Sequence, residues 1–430
     1  MKIYTKNNEL LQRAKKATPL GAQTYSKSTR YYIEGNCPAF IERGKGCYLY
    51  DVDGNKFLDF VCALGPITIG YSDERVNEAV KQQLEKGITF SLQSEAELLL
   101  AEKVIEIIPC AEMVRFVKNG SDATAAAVRL ARAYTGRDMI LCSGYHGMQD
   151  WYIGSTVNNK GVPKAGQELV QPFTYNNLDE VEFLLQKYEG KVAGIILEPI
   201  QGNGPEEGFL EGLRKITKEH DVVLIFDEVV SGFRYALGGA SELYNIVPDL
   251  ASFGKGMGNG LAISAVAGKR EIMRMIEEGV FISTTFGGDA LAMAGALKSI
   301  EILEKPGTYE YMRELGSRMR KGLEDLVQKC GVGEVVQVSG ITPHCGVQFE
   351  GKGSLDYLDI NSIFTQRMTD EGILTVGINN LNMSHTEKEI DMYLETAERA
   401  FEDIKKAVEA DSLEVLNLQG KVDPVFKRNI

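Results

Sequence analysis

Apolar residues recur with helical spacing over residues 73–86, 95–108, 121–134 and 208–220. Between these stretches lie short apolar runs: "VRFVKN", "MILCSG", "VAGIILEP", "VVLIFDEV" and "DLASFG". The runs are β-branched and mostly lack alternation, the pattern of strands covered on both faces. Strand–helix alternation from about residue 75 to 305 therefore predicts an α/β fold built on a large, mainly parallel sheet. Upstream, "FIERGKGCYLYDVDGNKFLDFVC" alternates apolar and polar residues around "DVDGN", which predicts a hairpin. Downstream, a helix over 309–330, strands near "VVQVSG" and "HCGVQFEG" and two further helical stretches predict a smaller α+β domain. The expected organisation is an N-terminal segment, 1–70, packing with the small domain; a large α/β domain, 71–308; and the C-terminal small domain, 309–430. The last thirty residues are polar and receive no assignment.

In open α/β sheets, ligands bind beyond the carboxyl ends of the strands, and several unusual residues fall there. "LIFDEVV" is an apolar run that ends in Asp227 and Glu228. A carboxylate at a central strand end must be solvated, paired or protonated. Val229, two residues on, projects to the same face as Asp227, so an acid and a β-branched side chain would meet the edge and the flat side of one ring. A carboxylate about 4 Å from a cation gains roughly 4 kcal/mol at an effective dielectric near 20, about three pK units on a ring nitrogen. An ordinary salt bridge at a strand end explains Asp227 equally well.

Lys255 sits between glycines in "SFGKGMGNG". Small neighbours let a ligand approach closely, and a desolvated amine forms Schiff bases. The alternative is an exposed loop lysine. The segment has neither P-loop nor dinucleotide-binding glycine spacing. In "VKNGSDATAAAVRLARAY", Gly120 and Ser121 open an alanine-rich helix, whose first amides suit a phosphate as well as they suit a plain cap. Tyr145 follows the strand 139–142 and is placed to stack on a ring. For its neighbour His146 the expectation is a helix-capping role.

Composition narrows the classes further. Of 430 residues, 44% are hydrophobic and 25% charged, as in soluble globular proteins. The net charge of −13 argues against nucleic-acid binding. No apolar run has membrane-spanning length, and the charged start has no apolar signal core, so a cytoplasmic location is expected. Seven scattered cysteines without a CxxC pair, and four histidines without ligand spacing, argue for reduced thiols and against a metal site.

Together the segments resemble class III pyridoxal-phosphate aminotransferases, nearest the glutamate-1-semialdehyde 2,1-aminomutase branch. The motifs run in order from "GKGCYLYDVDGNKFLDF" through "GSDATAAAVRLARAYTGR", "YHG", "LEPIQGNG", "IFDEVVSGFR" and "SFGKGMGNG" to "TTFGGDALAMAGAL" and "SHTEKEID". The resemblance implies the type I fold of pyridoxal-phosphate-dependent transferases, with pyridoxal 5′-phosphate and its pyridoxamine 5′-phosphate form as cofactor. It implies Lys255 as the internal aldimine, Asp227 on the pyridine nitrogen, Tyr145 and Val229 on the two ring faces, and Gly120 and Ser121 on the phosphate. It further implies a homodimer in which Thr285 reaches the neighbouring subunit's phosphate, Asn203 near the ring's phenolic oxygen, and Glu198 on the site wall.

Two segments depart from the mutase pattern. "PLGAQTYSKSTRYYIEG" is about two residues longer than the mutase segment that carries a substrate-binding arginine, leaving Lys27 and Arg30 loosely placed. "VGINNLN" is shorter than the mutase loop and carries no acid. Trp151 is expected to add bulk near the pocket mouth. These changes favour amino transfer to or from another small carbonyl compound, a sugar among them. The mutase reaction and a racemase or epimerase are the alternatives within the chemistry. A non-catalytic protein that binds a phosphorylated ligand is the alternative outside it, and it has no need of Lys255.

Overall fold

The computed structural model describes residues 2–423. They form two compact units: Glu74–Tyr309, and a discontinuous unit of the residues up to Asp73 together with those from Glu310 onward.

In the larger unit, seven strands form one sheet. They are β1 (Met113–Val117), β2 (Met139–Ser143), β3 (Val170–Pro172), β4 (Val192–Leu197), β5 (Val223–Asp227), β6 (Leu250–Phe253) and β7 (Ser264–Gly268), in spatial order β1-β7-β6-β5-β4-β2-β3. The pairings β6–β5, β5–β4, β4–β2 and β2–β3 are parallel; β7 runs antiparallel to both β6 and β1. Because β7 reverses twice, β1 points the same way as the parallel strands. All carboxyl ends except that of β7 therefore lie along one edge of the sheet. β5 occupies the middle, with every residue buried. Each such Ile, Leu or Phe contributes about 1.5–3 kcal/mol through burial.

The helix Gly120–Thr135 follows β1 and lies on this sheet. Its buried side is mostly alanine (Ala123, Ala126, Ala127, Ala131) with Leu130, positions that share one helical face. Small side chains let the helix axis approach the strands closely. It ends at Gly136, whose φ of 66° is the left-handed conformation that favours glycine at a helix stop.

Two features differ from expectation. "VRFVKN" forms the edge strand β1, of which only Val117 is fully buried, because β7 inserts between it and β6. β7 itself is "SAVAG", too rich in small residues to announce a strand.

The second unit carries a four-stranded sheet in the order Ile41–Lys45, Tyr48–Asp51, Lys56–Asp59, Ile373–Leu374, so the expected hairpin is part of a three-strand meander. A second sheet pairs Val336–Ile341, His344–Phe349 and Ile378–Asn380. Helices Tyr357–Asp370 and Glu387–Ala410 share one core with the strands, through Phe364, Phe401 and Tyr393. The last helix extends into the final thirty residues, of which 424–430 lie outside the described ones.

Candidate active site

The chemistry-bearing segments of the larger unit follow the carboxyl ends of five strands: Gly120 and Ser121 after β1, Tyr145 and His146 after β2, Glu198 after β4, Asp227 at the end of β5, and Lys255 after β6. Sequence order scatters them; sheet order gathers them on one edge.

Asp227 and Glu228 take opposite sides of the chain, as successive strand residues do. Glu228 is fully buried and accepts hydrogen bonds from the Ser231 hydroxyl, from the Ala240 and Ser241 amides at 2.9 Å each, and from the Ser241 hydroxyl at 3.1 Å. Its role is to tie down the start of the helix Gly239–Tyr244. Asp227, 3% exposed, instead meets His146: Oδ2 lies 2.8 Å from Nδ1. Its Oδ1 accepts the Val229 amide at 3.1 Å. His146 is thus no helix cap. Its partner is the carboxylate two strands away in the sheet, a contact that only the strand order creates.

The turn carrying His146 is fixed from both sides. The Tyr145 amide donates to Glu198 Oε2 at 2.8 Å. The Thr124 hydroxyl donates to the His146 carbonyl at 2.8 Å, and the Met148 amide to Ser121 Oγ at 3.2 Å. Gly147 has a φ of +97°, and a Cβ there would overlap Ser121. Trp151 lies behind this turn: its indole stacks on the His146 ring with centroids 6.1 Å apart, and it packs against the hydrophobic core. Its indole also contacts the Tyr152 ring, with centroids 5.7 Å apart. Tyr145 is half-exposed and meets Tyr152 edge-on at 5.7 Å.

The first turn of Gly120–Thr135 is set by a capping box between Asn119 and Asp122. A Cβ at Gly120 would come within 2.7 Å of Val229 Cγ1, so glycine is what permits this helix start beside Val229. Lys255 has a φ of 40°, a left-handed conformation that costs a non-glycine residue energy and that collects at functional sites. Burial holds its amine below the ordinary lysine value, while Glu198 and Asp227 act in the opposite direction. Glu198 is pushed up by burial and by Asp227, with His146, the Tyr145 amide and Lys255 opposing. Thr285 lies on an exposed loop and Asn203 on an exposed turn after β4. In the other unit, Lys27 is exposed and Arg30 pairs with Asp423. Among the described residues no cluster of His, Cys, Asp and Glu could hold a metal ion.

The arrangement offers an amine, a buried carboxylate and a helix start on one edge. That set can hold a flat ring carrying a phosphate, a basic nitrogen and a carbonyl. The model of the aminotransferase class-III family matches residues 31–408. The 3-aminobutyryl-CoA aminotransferase of Cloacimonas acidaminovorans (strain Evry) is 40% identical over 75% of this chain and 79% of that one. The glutamate-1-semialdehyde 2,1-aminomutase of Syntrophobacter fumaroxidans (strain DSM 10017 / MPOB) is 37% identical over 93% of this chain and 98% of that one. Among solved structures, the PLP internal aldimine form of the FumI protein of Sphingopyxis sp. MTA144 superposes with a TM-score of 0.87 at 27% identity, covering 96% of this chain and 98% of that one.

Proposed function

The chain belongs to the class-III aminotransferases, pyridoxal-phosphate-dependent enzymes, and we propose that it moves an amino group to or from a small carbonyl compound with Lys255 as its central residue. The observation that carries this reading is the company Lys255 keeps: a strained backbone, an amine held down by burial, and two carboxylates acting on it.

The residues fit the cofactor end by end. Its phosphate suits the free amides at Gly120 and Ser121, where the helix dipole adds favourable charge. Val229 packs directly against Gly120, close enough that a Cβ there would overlap it, so the helix start and the side chain against which one ring face would rest sit side by side. Tyr145 would cover the other face, and Asn203 would serve the phenolic oxygen. Asp227 would meet the ring nitrogen, where a carboxylate favours a bound proton.

When bound, the cofactor supplies an electron sink for charge developing on the substrate carbon that bears the amine. Lys255 is the residue that would hold the cofactor, its buried amine condensing with the carbonyl and releasing water. With its amine free, Lys255 would take the proton from the substrate carbon and hold it for return. Burial favours its neutral form, the form a nucleophile and base requires. Glu198 lies on the wall beside it.

A homodimer in the cytoplasm is the proposed working form. Thr285 shares an exposed loop with Phe281 and Phe286, 75% and 56% exposed, an apolar face that suits a second copy presenting Thr285 to its neighbour's phosphate. All seven cysteines are free, as a reducing compartment maintains them.

Relatives named for 3-aminobutyryl-CoA and for glutamate-1-semialdehyde fall within a similar range of identity, which leaves the substrate to the loops. "VGINNLN" offers no acid to a substrate amine, and Arg30 is engaged by Asp423. Two lost polar partners, each worth about 1–3 kcal/mol or roughly ten- to a hundredfold in rate, predict that glutamate-1-semialdehyde is a poor substrate beside the best compound. Specificity constants for the semialdehyde, 3-aminobutyryl-CoA, amino sugars and simple amines test this. Should the semialdehyde react faster than every other compound, the aminomutase reading replaces this one.

A further inference from the structure

His146 is 1% exposed, and its two ring nitrogens have opposite situations. Nδ1 lies 2.8 Å from Asp227 Oδ2. Nε2 is buried and has no hydrogen-bond partner in the structure. An ionised carboxylate offers only lone pairs, so Nδ1 carries the proton of this hydrogen bond. The ring cannot turn away. Trp151 stacks on it at an interplanar angle of 18°, and Tyr152 meets it edge-on with centroids 5.1 Å apart. Its backbone carbonyl is held by Thr124, and the following residues abut Ser121. Thr124 and Ser121 both belong to the helix Gly120–Thr135.

We propose that His146 is a positioning residue for Asp227. Its Nδ1–H fixes the carboxylate's rotamer, and its turn ties that carboxylate to the helix start at Gly120 and Ser121. The inference rests on the reading of Asp227 as the partner of the cofactor's ring nitrogen. On that reading, the two ends of the cofactor are recognised by groups braced against each other through one four-residue turn. Removing the imidazole donor leaves Asp227 with only the Val229 amide, free to rotate, and the ring nitrogen loses a fixed acceptor.

The test uses the apoprotein and pyridoxine 5′-phosphate, which carries the ring nitrogen and the phosphate but no aldehyde to react with Lys255. Binding is followed by quenching of Trp151, the single tryptophan of the chain. His146→Asn puts an amide N–H near the position of Nδ1; His146→Gln extends its amide toward Nε2 and leaves Asp227 without the donor. Both variants are polar, so neither leaves an apolar mismatch in the turn. Wild type and His146→Asn should bind within about fivefold of each other, and His146→Gln roughly ten- to a hundredfold more weakly, the range expected for a lost hydrogen bond to a charged group. Inorganic phosphate, which reports on the helix start alone, should compete with equal affinity in all three. Equal binding by the Asn and Gln variants overturns the proposal. So does a parallel loss of phosphate affinity in His146→Gln, which would make the role structural only. If wild type binds neither pyridoxine 5′-phosphate nor pyridoxal 5′-phosphate, the cofactor reading of the site falls, and this inference with it.

Discussion

Adjacent acids can have unrelated tasks, and Asp227 and Glu228 do. Glu228 is consumed by four donors around the helix start 239–241, whereas Asp227 keeps lone pairs on the sheet edge beyond its bonds to His146 and Val229. Asp227→Asn should keep the fold, because an amide oxygen can still accept from a neighbour, yet lose the charge that holds the ring proton. About three pK units are at stake, so steady-state assays should find kcat reduced by roughly a hundred- to a thousandfold. Near-normal turnover would mean that the acid serves another partner. Lys255 carries a second prediction. Its folded pKa is lowered, so the unfolded chain binds the proton more tightly. The resulting penalty is full below the folded value and fades as pH approaches 10.5. Lys255→Met apoprotein should therefore melt above wild type near pH 7, with the gap closing toward pH 10.5 in differential scanning calorimetry. A pH-independent gap would contradict burial as the cause. Asp227 and Lys255 were legible as candidates because strand ends and small flanking residues are visible in sequence. His146 was not, since its partner is brought to it only by the order β5-β4-β2.

Helices and buried strands were legible for the same physical reason: long amphipathic stretches and β-branched runs leave a periodic signature. The helices seen at Glu74–Lys86, Glu95–Ile107 and Phe209–Glu219 begin and end within two residues of the sequence expectation. β7 left no signature, because "SAVAG" has one β-branched residue and owes its place to the partners on both sides. Its insertion also moved β1 to the edge. The element with most at stake is the helix Gly120–Thr135, whose alanine face was plain in the sequence and whose glycine start acquires its reason only in space. Gly120→Ala would put a Cβ within 2.7 Å of Val229 Cγ1, a contact that forces the helix start and Val229 apart. Overpacking of this kind costs about 1–3 kcal/mol. The expected outcome is cofactor binding weakened roughly ten- to a hundredfold in equilibrium titration of the apoprotein, with the helix retained by circular dichroism. Unchanged affinity would show that the ligand does not use this helix start.

At the scale of the whole molecule, the larger unit exposes apolar side chains that a lone chain would ordinarily cover, among them Leu92 at 86%, Phe281 at 75% and Met148 at 70%. A homodimer that buries them should sediment as twice the chain mass at assay concentrations. Thr285→Ala should then speed cofactor loss on dialysis several-fold without dissociating the dimer, as expected for one lost hydrogen bond to a charged group. A monomer with full cofactor occupancy would contradict the shared-site arrangement. Composition bears on none of this; the acidic balance and scattered cysteines constrained the class of protein, and the site came from the sheet edge. What joins all three scales is the claim that one lysine carries the cofactor. Borohydride reduction of the holoenzyme, followed by peptide mapping, tests it most directly. The account predicts one cofactor-derived label per chain, on the peptide containing "SFGKGMGNG" at Lys255, and none in Lys255→Met. Label on another lysine, or a fully active enzyme that takes no label, would contradict it.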